Sequence, residues 1–272
     1  MGLELNDDSQ YKLKPTLLNA LIIVAVYIII VVIVQKILGV PYPEIAKSSS
    51  NMLYGVLIPV TTGAVILTII ALWSGWWKDV WRDKYQIKGH SWMHIFLILF
   101  VFAIIVNLIT GHIGSLDTNL VLTIFIAMAF VGYAEELLTR GLLVQGARGS
   151  GLTEVKIFFI VILVFGGMHA MNFISGQGIT TTIIQVIFAG LLGGVFYTIF
   201  RKTGFLVIPM IIHALWDFSV FTRGAINVNQ VTTLTLNIIL MAMAGFAILI
   251  SFLLLIFAIR NFNVKSTKDE HI

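Results

Sequence analysis

Residues 120–144 read LVLTIFIAMAFVGYAEELLTRGLLV, and this stretch determines how the rest of the chain is interpreted. It is long enough to cross the hydrocarbon core of a membrane, which takes about 20 apolar residues in a helix. It nevertheless contains Glu135, Glu136 and Arg140. Each charge at the centre of a membrane costs about 2.5–3.5 kcal/mol, so such residues normally face the interior of a helix bundle and mark a functional site.

The composition extends this interpretation to the whole chain. Of its 272 residues, 58% are hydrophobic and 11% are charged, whereas soluble domains carry about 25% charged residues. Eight apolar stretches are each about long enough to span a bilayer: 17–34, 52–73, 92–109, 120–144, 155–173, 181–200, 205–221 and 234–259. We therefore predict an all-α, polytopic transmembrane helical bundle of about eight spans, with residues 1–272 forming a single membrane domain in a lipid bilayer.

The composition also excludes several classes of site and partner. The chain contains no cysteine, so disulfide frameworks, thiolate metal sites and cysteine nucleophiles are ruled out. Nothing in the composition supports nucleic-acid binding, and we expect no nucleic-acid partner.

Lys and Arg are distributed unevenly between the two sets of loops. If the amino terminus is cytoplasmic, 13 of these residues face inward, 3 face outward, and Arg140 lies within a span. The positive-inside rule therefore predicts that both termini are cytoplasmic. The inner loop after the second span also holds Trp76, Trp77 and Trp81 beside basic residues, which predicts an interfacial aromatic belt.

Two later spans also carry ionisable residues. The stretch 155–173 contains His169 after a long apolar run, and 205–221 contains His213 and Asp217 one helical turn apart. Because these two share a helix face, the carboxylate can orient the imidazole, or the pair can share a metal or a water. Counting about 1.5 Å per residue from the inner ends, Glu135 and His213 lie near mid-membrane, and His169 lies about 6–9 Å further outward.

Helix geometry separates the two adjacent glutamates. Glu136 precedes Arg140 by four residues, which is the favourable orientation for an ion pair within a helix. Glu135 lies about 140° from Arg140 around the helix, so it points elsewhere. We predict that Glu136 and Arg140 form a structural ion pair, and that Glu135 stays free to act as a general base.

The ordered set of motifs resembles the CPBP family of CAAX proteases and bacteriocin-processing enzymes, which includes the type II CAAX prenyl endopeptidases and the bacterial Abi proteins. The motifs are Glu135-Glu136-x-x-x-Arg140, Phe165-x-x-x-His169 and His213-x-x-x-Asp217. Each is weak alone, but all three in order on separate spans are fairly specific. The resemblance covers residues 120–221, which we take as the catalytic core. It implies an intramembrane endopeptidase, a hydrolase that cleaves a membrane-associated protein or peptide.

The resemblance also implies a role for each matching residue. Glu135 would activate the hydrolytic water, and His169 would help to hold it. His213 and Asp217 would stabilise the oxyanion, while the other two charged motif residues would be structural. Asp217 stands where many family members carry Asn, which can donate a hydrogen bond to an oxyanion, whereas an ionised carboxylate only accepts. Either Asp217 is protonated, or it orients His213, or a cation is present.

The cofactor is left open by these residues. The family is often described as metalloproteases, and a metal-free glutamate mechanism also fits its motifs. Glu135, His169 and His213 could bind zinc, so the expected cofactor is either none or Zn.

Other functions and several substrates also stay open. The same fold could serve as a catalytically silent scaffold or as a bacteriocin self-immunity protein, and the buried charges could serve a proton-coupled carrier. Every motif position holds a competent side chain, which favours an enzyme, and we find no repeated halves of the kind common in carriers. The substrate is a CAAX-type protein or a bacteriocin- or pheromone-type peptide. The short chain with minimal loops favours a bacterial plasma membrane.

Overall fold

The computed structural model describes residues 11–225 and 235–262, which contain helices and no strand. Eight long helices follow one another in these ranges: α1 (Leu17–Leu38), α2 (Ser49–Ser74), α3 (Ile95–Thr110), α4 (Thr118–Gly149), α5 (Glu154–Met168), α6 (Ile179–Thr203), α7 (Val207–Gly224) and α8 (Thr235–Ala258). Short helices in the connections include Tyr42–Lys47, Trp77–Val80 and Met171–Ile174. Both chain ends lie outside the described residues, so the cytoplasmic location of the termini stays a prediction.

Within the part of the chain that is described, seven helices are long and apolar enough to cross a membrane. The long helix outside this group is α7, which covers most of the predicted span 205–221 and carries His213, Asp217 and Arg223 among its apolar residues. Helices therefore occur at all eight predicted positions. The prediction of an all-α, polytopic membrane bundle is confirmed.

The helices that carry the motifs pack closely on one another. In the centre, α4 contacts α7 and α2, while α5 packs along α6. A Cβ atom at Gly132 of α4 would lie 2.5 Å from the carbonyl oxygen of Met210 and 2.9 Å from the side chain of Ala214, both on α7. Likewise, a Cβ atom at Gly166 of α5 would lie 2.5 Å from the carbonyl oxygen of Val186 on α6. Small residues thus let these backbones approach each other, as in other membrane bundles.

One end of the bundle is held by buried charges. Arg201, near the end of α6, pairs with Asp83 at 2.8 Å and with Glu154 at 2.6 Å. Arg148 pairs with the same carboxylates at 2.8 Å and 2.7 Å. The loop after α2, the connection from α4 to α5 and the end of α6 therefore meet on one side of the bundle. This is the grouping that the charge distribution predicts for the inner loops.

The tryptophans after α2 do not behave as a simple interfacial belt. Trp76 is 0% exposed, and its indole nitrogen donates to the carbonyl oxygen of Leu13 at 2.7 Å. Trp77 and Trp81 are half-buried and contact each other edge to face, with centroids 4.9 Å apart. The predicted belt is therefore wrong for Trp76, because its ring belongs to the packed interior.

Candidate active site

A cavity of about 280 Å³ lies between α1, α2, α4, α6 and α7. Glu135, His169 and Asp217, which the sequence places on separate helical stretches, all line it. Most of the remaining wall is apolar and includes Val60 and Leu192. The cavity thus combines a few convergent polar groups with hydrophobic walls, which is the usual character of a small-molecule or substrate site.

The helix α4 changes its winding at the first motif. It is α-helical up to Glu136 and π-helical over Leu137–Leu143. The Thr139 hydroxyl donates to the carbonyl oxygen of Glu135 at 2.6 Å, which gives that backbone acceptor a partner beside the widened turn. The side chains of the two glutamates point in different directions. That of Glu136 is 0% exposed, whereas that of Glu135 is 14% exposed and faces the cavity. Single π-helical turns inside α-helices are frequent at functional sites.

Arg140 is fully enclosed, and its contacts join three helices. Its Nη1 donates to Glu136 Oε1 at 2.9 Å and to Thr139 Oγ1 at 2.7 Å. Its Nη2 donates to the carbonyl oxygen of Gly193 on α6 at 2.7 Å. The guanidinium lies 4.4 Å from the ring centroid of Phe165 on α5, within cation–π range. The predicted ion pair is therefore present in the structure, and it also ties α4 to α5 and α6.

His213 lies between three carboxylates. Its Nδ1 is 2.9 Å from Glu136 Oε1, and its Nε2 is 3.3 Å from Asp217 Oδ2 and 3.8 Å from Glu135 Oε2. Glu136 Oε1 already accepts from Arg140, so it acts as an acceptor here as well, and the hydrogen of this bond belongs to Nδ1. His213 Nε2 and Asp217 then share one further proton, either as imidazolium beside carboxylate or as imidazole beside a protonated acid.

His169 follows directly after α5 and is held by its own motif. Its Nδ1 is 2.8 Å from the carbonyl oxygen of Phe165. A carbonyl oxygen only accepts hydrogen bonds, so the hydrogen is on Nδ1, and Nε2 of the neutral ring carries a free lone pair. Phe165 therefore serves two motifs, since its carbonyl orients His169 and its ring covers Arg140. Although counting places His169 further outward, it lines the same cavity as Glu135.

The remaining predicted residues lie behind the cavity wall in the protein interior: Glu136, Arg140 and His213. The bond between His213 and Glu136 joins residues 77 positions apart, so no local pattern reveals it. Sequence reasoning also missed several polar residues of the cavity wall, among them Tyr42 and Gln185. Gln185 has a detectable signal, as the one amide side chain in the predicted span 181–200. Tyr42 has none, because it lies in a connection.

The zinc alternative can be tested against the donor arrangement. Among residues 11–225 and 235–262, no group of three or more His, Asp or Glu side chains is arranged to hold a metal ion. Zinc sites need such donors about 2.0–2.2 Å from one centre. Nδ1 of His213 and Nδ1 of His169 are engaged with protein oxygens, so Nε2 of each ring is the nitrogen that could bind a metal. The choice between no cofactor and Zn stays a prediction.

Comparison with known proteins agrees with the motifs. Residues 117–219 match the family model described as Rce1-like, type II CAAX prenyl endopeptidase Rce1-like. No curated protein and no solved structure gives a match. The matched segment contains all three motifs and runs from the residue before α4 into α7. The match confirms the resemblance to the CAAX-type (CPBP) family of intramembrane proteases over residues 117–219.

Proposed function

We propose that the protein is an intramembrane endopeptidase in which Glu135 activates water to hydrolyse a peptide bond. One observation carries this proposal. Glu135 Oε2 is buried and accepts no hydrogen bond from the described residues, although its side chain faces the cavity that His169 also lines. A buried polar atom without a partner costs about 1–3 kcal/mol. A water bound between the carboxylate and the imidazole removes that cost.

The reaction follows from this placement of the water. Glu135 takes one proton from the water as the water oxygen attacks the carbonyl carbon of the peptide bond. Nε2 of His169 accepts the second hydrogen of the same water and so holds it in place. The protonated Glu135 then gives its proton to the amide nitrogen, the C–N bond breaks, and a carboxylic acid and an amine are released. No step requires a metal.

The negative charge on the carbonyl oxygen is stabilised by Asp217, which lines the cavity, together with His213 directly behind it. One hydrogen lies between these two side chains, and Asp217 can direct it to the oxyanion when its carboxyl group is the one that carries it. Preorganised donors in a site that excludes water are the largest stabilising effect in reactions of this class. Glu136 takes no part in proton transfer, but its bond to Nδ1 sets the orientation of the His213 ring.

The walls of the cavity favour a hydrophobic segment of a membrane-associated protein or peptide as the substrate. The family match favours processing at a CAAX-type carboxyl terminus, and bacteriocin- or pheromone-type peptides are the second substrate class that we propose. The short connections between the helices support a location in a bacterial plasma membrane.

The test is cleavage by the purified full chain in proteoliposomes. The probes are an internally quenched farnesylated peptide ending in a CAAX sequence, its unprenylated form, and a panel of hydrophobic leader-type peptides, with products mapped by mass spectrometry. We expect cleavage at a defined bond by the wild type and no cleavage by Glu135→Gln. If the wild type leaves every peptide intact at equimolar enzyme, the proposal is wrong and the silent-scaffold alternative is preferred.

A further inference from the structure

A chain of hydrogen bonds runs through polar residues at the cavity wall and ends at Tyr42. The side-chain amide of Asn172 donates to Gln185 Oε1 at 3.0 Å. The side-chain amide of Gln185 in turn donates to the hydroxyl oxygen of Tyr42 at 3.2 Å. All three residues line the cavity that holds the candidate catalytic groups. The three come from different elements, namely the connection after α1, the short helix after His169, and α6.

The direction of these bonds leaves one hydrogen unassigned. Because the hydroxyl oxygen of Tyr42 accepts from Gln185, its own hydrogen points away from that amide. No described residue accepts it. A phenol has one donor hydrogen, so the chain presents a single oriented O–H at its end. Such an oriented donor costs no reorganisation when a charged partner forms beside it.

The surroundings place this hydroxyl near the reacting groups. The backbone N–H of Tyr42 donates to the carbonyl oxygen of Ser175 at 2.8 Å, which fixes the start of the short helix Tyr42–Lys47. That helix packs on α7, the helix of Asp217. Burial raises the pKa of Tyr42, and the nearby charges of Asp217 and Glu135 raise it further, although the bond from Gln185 opposes them. The phenol is therefore a neutral donor throughout the physiological range.

We propose that the Tyr42 hydroxyl is a further catalytic donor, which hydrogen-bonds to the carbonyl oxygen of the scissile peptide as it becomes an oxyanion. This inference rests on the proposed peptidase function and deepens it. The residue at position 217 explains why a further donor is needed. An ionised Asp217 offers no hydrogen to the oxyanion, whereas the Asn that many family members carry there would offer one. Tyr42 supplies that hydrogen from another part of the fold.

The test is the steady-state kinetics of Tyr42→Phe on the peptide that the wild type cleaves best. The substitution keeps the ring and removes only the hydroxyl. Loss of one oxyanion donor lowers kcat by about 10²–10³-fold, so we expect a fall of about 100-fold in kcat with KM within twofold. Tyr54→Phe is the matched control, because Tyr54 is 43% exposed on the outer face of α2, and it should leave both constants unchanged.

A second substitution separates a catalytic from a structural role. If the missing hydrogen is the cause, then Asp217→Asn in the Tyr42→Phe background should restore kcat at least tenfold, because the amide supplies a donor. A kcat of Tyr42→Phe within twofold of the wild type, or a change confined to KM, would overturn the inference. Glu135→Gln measured in parallel distinguishes a failure of the peptidase mechanism from a failure of the proposed role of Tyr42. A Glu135→Gln enzyme that cleaves normally refutes the peptidase mechanism, whereas an inactive Glu135→Gln beside a fully active Tyr42→Phe refutes only the role of Tyr42.

Discussion

The substitution Glu136→Gln removes one charge from a buried ion pair. The side chains of Glu136 and Arg140 are both 0% exposed and 2.9 Å apart, and Glu136 Oε1 also accepts from His213. Removing one partner of a buried pair destabilises a protein by about 3–5 kcal/mol, because the other charge stays buried. The amide keeps one acceptor oxygen, so we expect the lower end, about 3 kcal/mol. This is about a hundredfold in the folding equilibrium.

The assay is equilibrium unfolding in mixed detergent micelles, followed by tryptophan fluorescence. Glu44→Gln is the matched control, because Glu44 is 43% exposed and pairs with exposed Lys47 at 2.6 Å. Exposed pairs contribute about 0–1 kcal/mol, so this control should be close to the wild type. Adding Arg140→Met to Glu136→Gln should recover most of the loss, because it removes the unpaired charge. If Glu136→Gln were as stable as Glu44→Gln, the structural assignment of this pair would be wrong.

Two further predictions concern the reaction and the topology. Asp217→Asn should retain cleavage, and a chelator such as EDTA should leave the wild type active, because the proposed reaction needs no metal. Loss of activity in Asp217→Asn, together with zinc bound to the wild type at unit stoichiometry, would contradict a metal-free reaction. A reporter fused to the carboxyl terminus should read cytoplasmic, as the distribution of 13 against 3 basic residues indicates, and a clear external signal would reject the predicted orientation.

The parts of the site that depend on one helix could be predicted from the sequence. The spacing of four residues between Glu136 and Arg140 predicts their pair, and the structure contains it at 2.9 Å. The spacing of five residues between Glu135 and Arg140 predicts that Glu135 points away from Arg140, and in the structure Glu135 faces the cavity. Helical periodicity determines which residues share a face, so predictions of this kind need no knowledge of the fold.

The contacts between helices could not be predicted, because periodicity does not say which faces meet. The bond from His213 to Glu136 depends on the close approach of α4 and α7 at Gly132. Depth counting assumes a uniform rise per residue, and the π-helical turn Leu137–Leu143 departs from it next to the motif. Tyr42 belongs to a connection whose path is set by tertiary contacts such as its bond to Ser175.

The central claim is that two adjacent carboxylates have separate tasks, hydrolysis for Glu135 and structure for Glu136. The most direct measurement is the single-turnover cleavage rate per folded molecule of Glu135→Gln, with its folded fraction determined in the same preparation. General-base catalysis contributes about 10²–10⁴-fold, so the rate should fall by at least 100-fold while the folded fraction matches the wild type. A Glu135→Gln protein that is fully folded and cleaves at more than one tenth of the wild-type rate, as an order-of-magnitude limit, would contradict the account.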